Sequence, residues 1–211
     1  MAMSVNPIRI MVVDDHEVVR EGLSVIIQRE ADMEIVAQAK NGQEAIDQYR
    51  CHQPDVVVMD LNMPVKDGVE ATTAIHAEFP NCRILVLSVA SGDEDIFRAL
   101  QAGAKGYLLK ETLGKDLLKA IRSAYQGQSC IPAEVAQQLA KRFTVTELTP
   151  RELDVLRLMT RGKSNREIAN MLGLTEGTVK GYVSIILSKL NVSDRTQAVT
   201  TALQRGLVRL D

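Results

Sequence analysis

Cysteine is scarce in this chain: Cys51, Cys82 and Cys130 form an odd set with no CxxC pair and no Cys/His spacing suited to a metal. A disulfide framework and a zinc site are thereby excluded, and three reduced, mostly buried thiols are expected. No apolar run approaches the ~18 residues that would span a bilayer. The N-terminal MAMSVNPIRIMVVDDHE has no basic region and meets its first acids by residue 14, so it does not read as a signal peptide. Hydrophobic residues make up 45% and charged residues 25%. That is the ordinary globular mixture, and it excludes disordered, collagenous and low-complexity classes. A soluble cytoplasmic protein with no membrane contact is expected. No internal repeat is visible. At 211 residues the chain is long enough for one large domain or two small ones.

The net charge of −2 hides an asymmetry. Residues 1–130 carry 13 Lys and Arg against 19 Asp and Glu, whereas residues 131–211 carry 12 against 8. An acidic half joined to a basic half hints that the basic part meets nucleic acid. In the first half, apolar runs at Ile8–Val13, Ile35–Ala39, Val56–Met59, Ile84–Val89 and Gly106–Leu109 suit strands buried on both faces. Amphipathic stretches follow each run: Glu17–Arg29, Gly42–Cys51, Gly68–Glu78, Glu94–Ala102 and Leu113–Gln126. Five β–α repeats predict a doubly wound parallel sheet over residues 1–127, with functional groups at the C-terminal strand ends. Residues 128–146 read as a linker with one helical segment, Ala133–Arg142.

Residues 147–211 read as four helices. Thr149-Pro-Arg-Glu152 and Ser164-Asn-Arg-Glu167 are capping boxes, and Gly162 and Gly173 stand where helices end. Asn165–Leu172, a turn, and Thr175–Leu190 spell a helix-turn-helix. Val179, Val183, Ile186 and Leu190 stripe one face of the second helix, while Gly177, Lys180, Gly181, Ser184 and Ser188 occupy the other. Small residues let a helix enter a major groove, and Lys163, Arg166 and Lys189 can neutralise phosphates. The same pattern also fits a plain four-helix bundle with a solvated face.

The acidic half carries its own constellation. Asp14 and Asp15 end the first strand run, Asp60 the third, Ser88 the fourth and Lys110 the fifth. On a parallel sheet these share one edge. Clustered carboxylates call for a hard divalent cation such as Mg²⁺, and a lysine and hydroxyl beside them can hold phosphoryl oxygens. An aspartate can itself accept the phosphoryl group. His16 has no metal partner at useful spacing and reads as a bystander.

The strings VVDDHEVVREGL, VVVMDLNMPVKDG, ILVLS and GAKGYLLK over residues 8–127 resemble the receiver domain of bacterial two-component response regulators. The resemblance implies a flavodoxin-like sheet of order 2-1-3-4-5, with Asp60 as phosphoacceptor. It also implies Mg²⁺ held by Asp14, Asp15, Asp60 and the backbone carbonyl of Asn62. Lys110 would then pair with the phosphoryl oxygens. Ser88 and Tyr107 would be the switch pair, Ser88 moving to the phosphate and Tyr107 turning inward from a dimer surface. The second half, through LTPRELDVLRLM, GKSNREIANMLGLTEGTVKGYVSIILSKL and DRTQAV, resembles the LuxR-type DNA-binding domain. Together the halves are similar to the NarL/FixJ subfamily of transcriptional regulators. That implies a cognate histidine kinase, no enzymatic turnover of an external substrate, and promoter binding as a homodimer. By position, Lys180, Gly181 and Ser184 would face bases, with Lys163, Asn165, Thr178 and Lys189 in the DNA contact. The last helix, carrying Arg195 and Val199, would pair two chains.

Overall fold

The computed structural model describes residues 6–89, 92–112, 114–142 and 147–208. The linker residues 143–146 and the expected helix start at Leu113 lie outside them. Five parallel strands alternate with helices in the first half: β1 (Ile8–Val13), α1 (Glu17–Gln28), β2 (Met33–Ala39), α2 (Gly42–His52), β3 (Val56–Met59), α3 (Gly68–Glu78), β4 (Ile84–Ser88), α4 (Asp93–Gln101), β5 (Gly106–Leu109) and α5 (Lys115–Tyr125). A short 3-10 turn, Lys110–Thr112, follows β5.

The sheet is parallel, as the β–α repeats predict, and its strand order is β2-β1-β3-β4-β5, as the receiver resemblance implies. Side chains of the central strands are buried on both faces, which is why β3 reads as unbroken Val-Val-Val-Met. Ile10, Val12, Val58, Leu85 and Leu87 pack toward α1 and α5 with Leu23, Ile27, Leu117 and Ile121. Met11, Val13, Val57, Met59 and Ile84 pack the other face with Ala45, Ile46, Ala71 and Ile75. β2 is an edge strand and only partly buried; its register against β1 shifts between Ile10 and Met11. Its start at Met33 is hidden in the sequence by Glu34, an exposed residue that the alternating edge tolerates.

Cys130 extends this sheet at its other edge. The Tyr107 N–H donates to the Cys130 carbonyl at 3.0 Å, and the Cys130 N–H donates to the Lys105 carbonyl at 3.0 Å. The start of the expected linker is thus bonded to β5, and α6 (Ala133–Arg142) follows directly. The chain divides into two compact units, one of residues 1–90 and 96–136 and the other of residues 91–95 and 137–211.

The later helices are α7 (Pro150–Thr160), α8 (Asn165–Leu172), α9 (Glu176–Leu190) and α10 (Arg195–Gln204). Both expected capping boxes form, with Thr149 and Ser164 accepting from the N–H groups of Glu152 and Glu167. Gly173 ends α8 at φ 65°, a left-handed turn that costs glycine nothing and permits the sharp entry into α9. Val155, Leu156, Met159, Ile168, Val179, Ile186, Leu190, Ala198 and Ala202 form one aliphatic core. Among the described residues, no helix is long and apolar enough to cross a membrane.

Candidate functional site

Strand register builds the acidic cluster. Val13 pairs with Met59 on adjacent strands, so Asp14 and Asp60, each one residue further on, emerge side by side. Backbone bonds fix both: the Asp14 N–H donates to the Ala39 carbonyl and the Asp60 N–H to the Val13 carbonyl. Both residues are almost fully buried, at 1% and 3% exposure. Lys110 reaches in from the end of β5, donating to Asp14 Oδ2 and standing 3.2 Å from Asp60 Oδ1.

The electrostatics follow from burial. Removal from water pushes the Asp60 carboxyl up to about 6; Asp14 adds to the rise, while Lys110 opposes it. Burial works against the charge on Lys110, but the carboxylates of Asp14 and Asp60 outweigh it and hold its pKa above the usual lysine value. A single cation therefore serves two carboxylates, with Asp15 beside them. Asp15 Oδ1 is buried and receives no well-aligned hydrogen bond, with the His16 ring nitrogen 2.8 Å away. Three carboxylates at one edge, among them a buried oxygen that accepts no well-aligned hydrogen bond, fit a hard divalent ion.

His16 corrects the sequence reading. Its Nδ1 lies 2.8 Å from Asp15 Oδ1 and 3.3 Å from Asp14 Oδ1. Ligand atoms of Asp14, Asp15 and His16 fall within 4.8 Å of one another, so the imidazole belongs to the cluster. Its backbone N–H also donates to Asp14 Oδ1 at 2.9 Å, turning the chain into α1. Spacing along the sequence could not show this, because the three residues are consecutive and a turn folds them together.

The loop after β3 carries Asn62, exposed two residues past Asp60. Val65 follows at φ 71° and 87% exposure, a left-handed conformation that a β-branched residue rarely adopts. Gly68 then closes the loop: its N–H donates to the Leu61 carbonyl at 2.9 Å. The sequence shows Gly68 only as part of a string. Its backbone packs against the Asp60 backbone closely enough that no side chain fits. Ser88 is buried at the end of β4, opposite Leu109. Tyr107 is fully buried on β5. An inward turn from an exposed position is therefore not available to Tyr107 in this state.

In the helical unit, α9 exposes Gly177, Lys180, Gly181, Ser184 and Ser188, the face expected from the pattern. Thr175 caps the helix by accepting from the Thr178 N–H at 3.1 Å, and the two hydroxyls are 2.9 Å apart. Lys180 pairs with Glu176 one turn back at 3.2 Å, with the lysine side chain 67% exposed. Such a solvated pair holds only about 0.3–0.5 kcal/mol and is readily exchanged for a phosphate. Lys163 pairs similarly with Glu167 at 3.5 Å, and Arg166 is exposed beside it.

Two expected contact residues make hydrogen bonds within the helical unit. Lys189 donates to Glu152 Oε2 at 2.7 Å and to the Glu147 carbonyl at 3.0 Å, tying α9 to the start of α7. Its ammonium neutralises a nearly buried capping carboxylate. The Arg195 guanidinium donates to Asn165 Oδ1 at 3.2 Å and to the Lys163 carbonyl, joining α10 to the start of α8. Asn165 is thereby a structural partner of Arg195. Val199 is half-buried against the helical core. No sequence signal marks these pairs, whose members lie 30 to 42 positions apart.

Comparison with known proteins bears on both units. Residues 10–122 match the response regulator receiver domain, and residues 146–202 match the bacterial regulatory proteins of the luxR family. The response regulator protein VraR of Staphylococcus aureus strain Mu3 is 42% identical over 207 residues, covering 96% of this chain and 99% of its own. A crystal structure of the response regulator ChrA, from a heme-sensing two-component system, is similar at TM-score 0.59. It is 37% identical and covers 96% of this chain and all of its own. RcsB from Salmonella enterica serovar Typhimurium, bound to promoter P1flhDC with the phosphomimetic BeF3−, is similar at TM-score 0.73. It is 25% identical and covers 94% of this chain and 99% of its own.

Proposed function

Because the chain belongs to the response regulators that join a receiver to a LuxR-type DNA-binding domain, we propose that phosphorylation of Asp60 switches it toward a homodimer that binds promoter DNA. The phosphoryl group comes from a partner histidine kinase or a small phosphodonor, and the chain works in the cytoplasm. It is a regulator whose receiver chemistry is directed at its own carboxylate, with no external substrate turned over. One observation carries the reading: a buried carboxylate, Asp60, shares a single cation, Lys110, with a second buried carboxylate, Asp14.

Asp14, Asp15, Asp60 and the Asn62 carbonyl would hold Mg²⁺, which supplies charge neutralisation for the carboxylates and the incoming phosphoryl group. An Asp60 carboxylate oxygen bonds to phosphorus as the donor's bond to phosphorus breaks. Lys110, now facing two acids, gives up part of that pairing to the phosphoryl oxygens. Ser88, at the same sheet edge, donates its hydroxyl to them. That movement repositions the loop after β4 and couples the chemistry to dimerisation. In the helical unit α9 enters the major groove, with Lys180, Gly181 and Ser184 facing bases and Lys163 and Thr178 near phosphates. α10, where Val199 is half exposed, pairs two chains.

Incubation with Mg²⁺ and a small phosphodonor should add one acid-labile, hydroxylamine-sensitive phosphate per chain. Asp60→Asn and removal of Mg²⁺ should each abolish it, read by intact mass. A phosphate on Ser88, or one retained by Asp60→Asn, would overturn the assignment.

A further inference from the structure

The exposed side of α9 carries a group that the sequence pattern did not single out. Ile185 is 44% exposed, and among the described residues of the helical unit only it and Met171 are large hydrophobics this open to water. Its position is more informative than its exposure. One turn earlier stands Gly181, where an added Cβ would meet no atom within 4 Å. Helical side chains lean toward the N-terminus and cover the preceding turn. Ile185 therefore leans toward the turn that holds Gly181, whose patch is bare of any atom within 4 Å, with exposed Lys180 and Ser184 beside it.

We propose that Ile185 reads thymine, packing its side chain against the C5-methyl group in the major groove beside the Lys180 contact. The inference rests on the proposed entry of α9 into that groove and deepens it by naming a base. The chemistry narrows the choice. Base edges in the major groove offer donors and acceptors plus one apolar group, the thymine methyl. An isoleucine gains nothing from the polar edges and gains the removal of apolar surface from water against the methyl. The flanking cations, Lys180 on α9, Arg166 on α8 and Lys163 just before it, complement a phosphate backbone on either side of such a contact. Gly181 and Ser184 remove the bulk that would hold the helix away.

The test uses the full chain and duplex sites selected by it from a random-sequence pool. Each thymine in a half-site is replaced in turn by deoxyuridine, which removes the methyl and keeps every hydrogen-bonding group. One replacement should weaken wild-type binding about fourfold, the worth of one buried methyl group. The same replacement should leave Ile185→Ser unaffected, while Ile185→Val should keep most of the wild-type response. Equal sensitivity of wild type and Ile185→Ser at every thymine would overturn the inference. Lys180→Ala separates that failure from a deeper one. If it weakens binding while the deoxyuridine effects stay equal, α9 is in the groove and Ile185 is not a reader. If neither Lys180→Ala nor Ile185→Ser changes binding, α9 is not in the groove and both readings fall.

Discussion

Replacing Gly68 with alanine is expected to destabilise the receiver unit by about 3 kcal/mol and to slow phosphoryl uptake at Asp60. The added Cβ would lie 2.0 Å from the Asp60 carbonyl oxygen and 2.9 Å from the Leu61 α-carbon. Both are backbone atoms, so no side-chain rotation relieves the clash. The Gly68 N–H bond to Leu61, the capping box of Asp67 with Glu70, and the Asp60 N–H bond to Val13 hold the two segments together. Relief must come from moving the loop that carries the phosphoacceptor. Chemical denaturation and the rate of phosphate incorporation read the two effects. An alanine variant as stable and as readily phosphorylated as the parent would show that the loop yields freely, contrary to the packing described.

Asp60→Asn should act in the opposite direction on stability. Burial raises the Asp60 carboxyl from 3.8 to about 6 in the folded chain, with Asp14 reinforcing the shift. A carboxyl whose folded value lies above its unfolded value favours folding while protonated, and that contribution is lost as pH rises through about 6. Above that pH the wild type carries an ionised group that the fold would rather keep neutral. The amide removes this cost and leaves Lys110 paired with Asp14. A gain of about 1–3 kcal/mol is expected at pH 7.5, shrinking as pH falls from about 6 toward 4. Thermal unfolding of both proteins across that range checks it. A gain that is absent at pH 7.5, or that persists unchanged at pH 4, would contradict the burial explanation. The predicted trade is that the site holds its charges ready at the expense of stability.

The two predictions mark where sequence legibility ends. The strand runs Ile8–Val13, Val56–Met59 and Gly106–Leu109 are readable to the residue, because strands buried on both faces admit little but aliphatic side chains. The capping signals place α7 and α8 equally well, since a cap is local chemistry within four residues. Asp14, Asp60 and Lys110 can be grouped because a parallel sheet brings all strand ends to one edge. What stays hidden depends on contacts that no local pattern encodes. Lys189 looks like a surface cation until Glu152 and the Glu147 carbonyl are found above it. Arg195 looks like a free contact residue until α10 is laid beside the start of α8. The edge pairing of Cys130 with β5 is invisible because a single bridge leaves no alternation to read. His16 and Gly68 differ again: each is ordinary by type, and only the turn around it gives it a role. Ile185 escapes because the helical stripe sorts residues into buried and exposed, and an exposed isoleucine fits neither purpose until a groove is opposite it.

Whether modification of Asp60 governs the helical unit is tested most directly by measuring DNA affinity and mass in solution on one preparation of the full chain, before and after phosphorylation. Fluorescence anisotropy on a selected promoter site and sedimentation velocity supply the two readouts, with Asp60→Asn carried in parallel. Phosphorylated wild type should shift toward a dimer and bind roughly 5- to 150-fold more tightly, the range typical of coupled sites, while Asp60→Asn responds to the phosphodonor in neither readout. Equal affinity and equal mass for the phosphorylated and unphosphorylated chain, with phosphate on Asp60 verified, would contradict the proposal that this carboxylate is the switch.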